Sequence, residues 1–448
     1  MENQISKLKN NNSPLLKILF ILFIILLLMI PNVLIQNLIS ERANRKAQIE
    51  REVAKSYGQA QKVMPPLLRI PYTRIYKSDK DAEISSKEGI FTFTPSTSDL
   101  LCNLTTDTRK RSIYEVVVYE SEMQIKSQLS DRLISAQTHK DYTFHYDRAH
   151  LIVGLTDPNG LSDNSQLKIN GQALDLQGVS TYRNGNLRYV KSETFVYKPG
   201  QELSVIADLS FKGTKSLMVE PVGEQMKIKI DSPWQDPSFA GTRLPDNYDI
   251  AEGFTSTWIT NQYAHDYPTS WSDDQKINNK NFGFGVNLIQ PINEYGKNSR
   301  TAKYALLIIA LTFGIFFFFE ILLKKKVHPI QYILIGFALT VFYLLLLSIT
   351  EHLGFDLAYI ISATATIGLI VSYTSHLLSS TKSTAILSLL LSGLFGYIFI
   401  ILQMQDFALL AGALALFTVL TIVMMLSRKI NWYALNQSLN PVTQSKSL

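Results

Sequence analysis

Two hydrophobic patterns divide the chain. From Leu15 to about Ile39, and again from Tyr304 to Leu426, apolar residues run almost without interruption. Between about Ser40 and Arg300, short stretches instead alternate apolar and polar positions. A bilayer core takes about 20 apolar residues in a helix. Six runs approach that length: Leu15–Ile39, Tyr304–Leu323, Pro329–Ile349, Phe355–Leu378, Thr384–Leu402 and Phe407–Leu426. The first is too long for a signal-peptide core and no small-residue cleavage site follows it, which predicts an uncleaved anchor. The helix formers of LISERANRKAQIEREVAKSYGQA carry it on as a stalk.

From about Lys87 the segments GIFTFTP, SIYEVVVYES, YTFHYD, LIVGLTD, LRYVKSETFVY, LSVIADLSF and MKIKID are rich in β-branched and aromatic residues, and turn signals such as DPNG, RNGN and KPG bound them. The expected fold is a membrane protein of class α+β. One N-terminal and five C-terminal transmembrane helices flank a large β-rich domain, an antiparallel β-sandwich inserted between helices 1 and 2. The expected boundaries are a tail over 1–14, an anchor over 15–39, an exported domain over 40–302, a five-helix bundle over 303–427 and a second tail over 428–448. Within the exported domain, 40–62 is the stalk and 63–302 the β-rich part.

Charge sets the orientation. The formal net charge is +6, and a basic balance raises nucleic acid as a partner. The excess flanks the spans, so the bilayer is the expected partner and nucleic acid is not. Lys7, Lys9, Lys324, Lys325, Lys326, Lys382, Arg428 and Lys429 share one side if there are six spans, and the opposite short loops carry Glu351, Asp356 and Asp406. By the positive-inside rule both termini are cytoplasmic and the middle domain is periplasmic. The one cysteine, Cys102, rules out an intramolecular disulfide and a cysteine-based zinc site.

Candidate chemistry is sparse. The stretch SITEHLGFD places Ser348, Glu351, His352 and Asp356 between two spans. Ser348, Glu351 and His352 share a helix face, but neighbours on one helix rarely converge as a hydrolase triad requires. A hairpin is the plainer reading: Gly354 ends one helix in the αL conformation, while His352 and Asp356 suit the helix dipoles. Glu351 then stands unexplained, and pairing with His352 or with the exported domain would resolve it. Glu320 is expected to pair with Lys324 one turn on, and His328 to open a helix before Pro329. His376 lies at the same end as His328, whereas His352 is about 36 Å of helix from each, so three histidines cannot share a metal. Tyr343 is the polar residue nearest a bilayer midplane. Small residues at Ala358, Ser362, Ala365 and Gly368, and at Ser388, Ser392 and Gly396, predict close helix approach.

In the middle domain, His145 and His150 of HYDRAH fall on opposite faces if that segment is a strand. The pair His265–Asp266 reads as solvated. No G-x-S-x-G, P-loop or Rossmann fingerprint occurs. Trp234 and Trp258 read first as packing and turn residues. No cofactor and no enzymatic activity are expected.

The segments SPWQDPSFAGTRLP (Ser232–Pro245), GFTSTW (Gly253–Trp258), RTAKYALLIIALTF, VHPIQYILIGFALTVFYLLLLSITEHLGFDLAY and QDFALLAGALALF together resemble the CreD family of inner-membrane proteins. The resemblance runs from LISERANRK to SRKINWY. It implies an N-terminal anchor, a large periplasmic domain and a C-terminal helical bundle. It further implies a role in envelope integrity and stress, with tolerance to colicins and cell-wall antibiotics, and no established reaction. Three positions depart from the family pattern: Ser112 where glycine usually stands, Asp236 where histidine often precedes Pro237, and Gln405 where an acid often precedes Asp406. Two functional readings follow. In one, a non-enzymatic envelope protein binds or senses an unidentified periplasmic ligand or envelope protein. In the other, a transporter- or flippase-like bundle moves a lipid or cell-wall intermediate. The residues that carry these readings are Glu320, His328, Tyr343, Glu351, His352, Asp406, Trp234 and Trp258.

Overall fold

A computed structural model describes residues 14–77, 84–137, 142–184, 187–275, 282–288, 294–323, 327–378, 380–403 and 408–428. They fall into two compact units, one within 1–45 and 292–448, the other within 46–291.

The first unit is helical. Helix α1 (Pro14–Tyr57) is followed after the second unit by α2 (Glu294–Lys303), α3 (Ala305–Leu323), α4 (Pro329–Leu353), α5 (Phe355–Leu378), α6 (Thr381–Gln403) and α7 (Ala408–Arg428). On α1, Ile21, Ile24, Ile25, Leu28, Ile35 and Ile39 are buried at helical spacing, while Phe23, Leu26, Ile30 and Leu34 are exposed on the other side. An exposed apolar face is costly in water and natural in a bilayer. Among the described residues, four helices are long and apolar enough to cross a membrane: α1, α4, α5 and α6. Helices α2 and α3 meet at a 46° bend, and they make a fifth candidate if the bent pair is counted as one span. The sequence predicts six, with the region before Tyr304 in the β-rich domain. Instead the polar stretch EYGKNSRTAK forms α2 and groups with the helices. Its charges hide it from a search for apolar runs.

The expected close approach at small residues occurs elsewhere. Ala358 and Ser362 are buried, but Ala365, Gly368, Ser392 and Gly396 are exposed. Nothing lies within 4 Å of a Cβ placed at Gly368 or Gly396. The packed glycine is Gly336, against Leu28 of α1 and Phe313 of α3.

The second unit is β-rich, its described residues forming a ten-stranded and an eight-stranded sheet. The first sheet centres on the strand Gln61–Lys77, flanked by His150–Leu155 and Ser216–Val219. The second centres on Thr97–Arg111, Tyr114–Leu129 and Gln225–Ser232. Val63, Leu67 and Ile70 of the first sheet share one buried apolar cluster with Leu100, Ile125, Ile228 and Trp258 of the second. Most pairings are antiparallel as expected, but Gln61–Val63 runs parallel to Leu217–Val219, and Gln225–Asp231 parallel to Thr97–Asn103. Alternation alone does not encode strand direction. The strand Gln61–Lys77 shifts register between Met64 and Leu67. Pro65 and Pro66 lie in that gap and cannot donate to the ladder.

Ser112 and Ile113 form the two-residue turn between Arg111 and Tyr114. Ser112 has φ 58°, a conformation that costs an L-residue with a Cβ about 1 kcal/mol. Ser112→Gly is therefore expected to stabilise the β-rich unit by up to about 1 kcal/mol. A higher denaturant midpoint checks this, and an unchanged or lower one contradicts it.

Candidate functional site

The conspicuous polar side chains of the helical unit gather at its two ends. At the Gly354 end, α4 closes with the Gly354 N–H donating to the Thr350 carbonyl at 3.1 Å, and α5 starts at once with buried Phe355. Gly354 has φ 76° and ψ 164°. The positive φ is as expected, but the ψ lies outside the αL region predicted for it.

Glu351 is nearly buried here, with its side chain 13% exposed. It accepts from the Tyr295 hydroxyl at 3.3 Å and faces Arg42 Nε at 3.7 Å. Its partners are thus neither His352 nor the β-rich unit. They lie on α1 and α2, within the stretch that the sequence assigns to the exported domain. Beside them, Asp356 accepts from Lys297 at 3.2 Å and from Gln403 at 2.7 Å, and Lys297 also donates to Gln403 at 3.0 Å. Two polar groups, both drawing on α2, therefore clasp α1, α2 and α4 on one side and α2, α5 and α6 on the other. Ser348 and His352 are exposed and stand outside both, so no triad assembles. Asp406 lies outside the described residues.

At the opposite end Glu320 pairs with Lys17 of α1. Lys324, its expected partner, lies outside the described residues. Lys17 also donates to the Val327 carbonyl at 3.0 Å, and the Tyr332 hydroxyl donates to Glu320 Oε2 at 3.3 Å. A lysine inside an apolar run was the available signal, since a charge there demands a partner. His328 is the N-cap of α4: its Nδ1 accepts from the Ile330 N–H at 3.3 Å. In return the Gln331 side chain accepts from the His328 N–H at 2.8 Å, which completes a capping box. Pro329 fills the first helical position. His328 is accounted for as a helix start.

Between the two ends Tyr343 is buried and its hydroxyl has no partner among the described protein atoms.

In the β-rich unit Trp258 is fully buried. Its ring lies 5.9 Å from Phe239 and 5.8 Å from Phe284, and its indole N–H donates to the Arg243 carbonyl at 3.4 Å. Trp234 is half-buried and donates to the Asp236 carbonyl at 3.1 Å, closing its own turn. HYDRAH is not one strand: Tyr142–Phe144 ends before it and a 3-10 turn occupies Tyr146–Arg148. His145 faces the Thr73 hydroxyl at 2.8 Å, and His150 is buried at the start of the next strand. Desolvation, with Lys191 nearby, pushes the His150 imidazole down to about 4. His265 is likewise buried, not solvated as its sequence suggests. Its Nε2 donates to the Gly223 carbonyl at 3.0 Å and its Nδ1 accepts from the Tyr267 N–H at 3.2 Å. Among the described residues no three His, Cys, Asp or Glu side chains are grouped to hold a metal ion.

The family model for Inner membrane protein CreD matches residues 13–433. The chain belongs to the CreD family. The Inner membrane protein CreD of Escherichia coli (strain K12) is 31% identical over 417 residues, covering 92% of each chain. This CreD-family chain is therefore a multi-pass inner-membrane protein with several apolar helices and a large β-rich region. Solved structures give weaker likenesses. A two-domain M1 zinc metallopeptidase bound to L-arginine has 10% identity and a TM-score of 0.21, over 43% of this chain and 42% of its own. Native yeast LTA4 hydrolase has 12% identity and a TM-score of 0.20, over 38% of this chain and 28% of its own. At such scores neither bears on fold or activity. Among the departures from the CreD pattern, Ser112 carries the strained turn described above. Asp236 contributes its backbone carbonyl, which any residue supplies, and Gln405 lies outside the described residues.

Proposed function

We propose that this chain is a non-enzymatic envelope-integrity protein with six spans, both termini cytoplasmic and its β-rich domain periplasmic, the two sheets packed as a sandwich. In this reading the β-rich domain binds an envelope component and the bundle responds to it, in support of tolerance to envelope stress. The observation that carries it is the Arg42–Glu351–Tyr295 cluster. Helix α1 runs unbroken from Pro14 to Tyr57, and Arg42 is the point where it grips the hairpin of α4 and α5. A nearly buried carboxylate held by two other helices is a natural two-state contact, because losing its partners leaves a charge poorly solvated. The positive-inside distribution supports the orientation.

In a host whose own copy is deleted, Arg42→Gln and Glu351→Gln are each expected to weaken tolerance to cell-wall antibiotics while the protein remains inserted at its normal level. His352→Gln is expected to change nothing, since His352 faces outward. Full tolerance in both the Arg42 and Glu351 variants would overturn the coupling. The alternative reading, a transporter- or flippase-like bundle for a lipid or cell-wall intermediate, draws its support from the unpartnered hydroxyl of Tyr343.

A further inference from the structure

Four polar atoms in the helical unit are buried without a hydrogen-bonding partner among the described protein atoms: Asn32 Oδ1 on α1, Thr312 Oγ1 on α3, the Tyr343 hydroxyl on α4 and Ser362 Oγ on α5. Their residues are 6%, 0%, 3% and 0% exposed. The neighbouring hydroxyls behave otherwise. Thr340, Thr350 and Thr374 each donate to the carbonyl one turn earlier, at 3.0, 2.6 and 2.7 Å, and Tyr359 donates to the Phe395 carbonyl at 2.8 Å. Satisfaction by backbone is thus the rule in these helices. Tyr343 is denied even that option, because its hydroxyl stands too far from its own helix. Asn32 spends its amide on the Ala302 carbonyl at 3.2 Å and keeps an acceptor in reserve.

Three of the four, those of Asn32, Tyr343 and Ser362, also lie at one depth, while Thr312 adjoins Phe313 at the Gly336 level. Arg42 against Glu351 at one level, and Leu28 against Gly336 at another, fix the register of α1 on α4. From the Arg42–Glu351 level, Asn32 lies about 15 Å down α1 and Tyr343 about 12 Å down α4. Ser362 lies about 12 Å down α5 from Gly354. Buried polar groups in a membrane interior are costly when unpaired, and three at one level within one helical unit call for a guest that satisfies them. All three are uncharged, and the ion pairs of the unit stand at its two ends.

We propose that Asn32, Tyr343 and Ser362 line a polar site within the membrane unit that takes an uncharged hydroxyl group, either of water or of a hydroxylated lipid headgroup. The site does not depend on the envelope-integrity reading, and it shares the Tyr343 hydroxyl with the transporter-like one.

The single native cysteine makes the test direct. Cys102 is buried and its thiol is pushed up to about 12 by desolvation, so it stays silent towards thiol reagents. Full-length Ser362→Cys is reconstituted in phosphatidylcholine vesicles and treated on both sides with a charged methanethiosulfonate. Ile361→Cys, whose native side chain is 44% exposed on the apolar surface, is the lipid-facing control. A thiol in hydrocarbon does not ionise, so Ser362→Cys is expected to react at least about tenfold faster than the control. Asn32→Cys is the second probe, expected to behave alike should the first variant not assemble. Slowing by added phosphatidylglycerol assigns the guest as a headgroup hydroxyl, and unchanged rates assign it as water. Labelling of both probes no faster than Ile361→Cys, in either lipid, overturns the site.

Discussion

Trp258→Ala is expected to destabilise the β-rich unit by about 3–5 kcal/mol, the largest single-residue effect foreseen in this chain. Three losses combine. The fully buried indole leaves a cavity in the cluster that both sheets share. Its ring contacts with Phe239 and Phe284, 5.9 and 5.8 Å between centroids, disappear. The Arg243 carbonyl loses its donor at 3.4 Å, and with it an anchor for the loop that precedes the strand Asn247–Asp249. A domain stable by about 5–15 kcal/mol would lose a third or more of its stability. Trp234→Ala provides the contrast. That ring is half-buried and its hydrogen bond closes its own turn, so the cost should be about 1 kcal/mol. The emission of Trp271, also buried, reports unfolding in both variants. Equal denaturant midpoints for the two would contradict the assignment of Trp258 to the core.

The contrast between these tryptophans shows what the sequence conveys. Both sit in the segment that carries the family resemblance, and both read as packing residues, but only the fold separates a central ring from a turn closure. The apolar runs gave away most of the helices because burial in lipid needs no periodicity. Helix α2 escaped notice because its charged face hides a membrane-associated element. The strand Gln61–Lys77 escaped for the opposite reason. It is central, buried from Val63 to Ile70 and interrupted by proline, so it shows no alternation.

The candidate site was legible one residue at a time. Glu351 stood out as a carboxylate at an unfavourable helix end, and Glu320 as an acid near the end of a span. Their partners Arg42, Tyr295 and Lys17 come from helices distant in sequence, and no local spacing rule links them. The unpartnered atoms of Asn32 and Ser362 were equally invisible, since a small polar residue in a span usually returns its hydrogen bond to its own helix.

Lowering the pH from 7 to 4 is expected to remove about 3 kcal/mol of stability from the β-rich unit through His150 alone. The sign follows from burial. Desolvation, helped by Lys191 and Arg69, holds the folded imidazole down at about 4, whereas the unfolded chain titrates near 6.5. Between those values the unfolded state binds the extra proton. Stability is therefore complete above about pH 6.5, falls as the pH drops through about 4, and levels off about a unit below that. His265 acts in the same direction, its imidazole lowered first by desolvation. A neutral ring is required there, because protonated Nδ1 would present a proton to the Tyr267 N–H that it now accepts from. Carboxylates titrate over part of the same window, so the informative quantity is a difference. The pH-dependent change in denaturation free energy should be smaller in His150→Leu than in the native chain by about 3 kcal/mol between pH 7 and 4. Parallel stability curves for the two proteins would show that His150 takes up its proton in the folded state without penalty, and would remove burial as the source of its acid sensitivity.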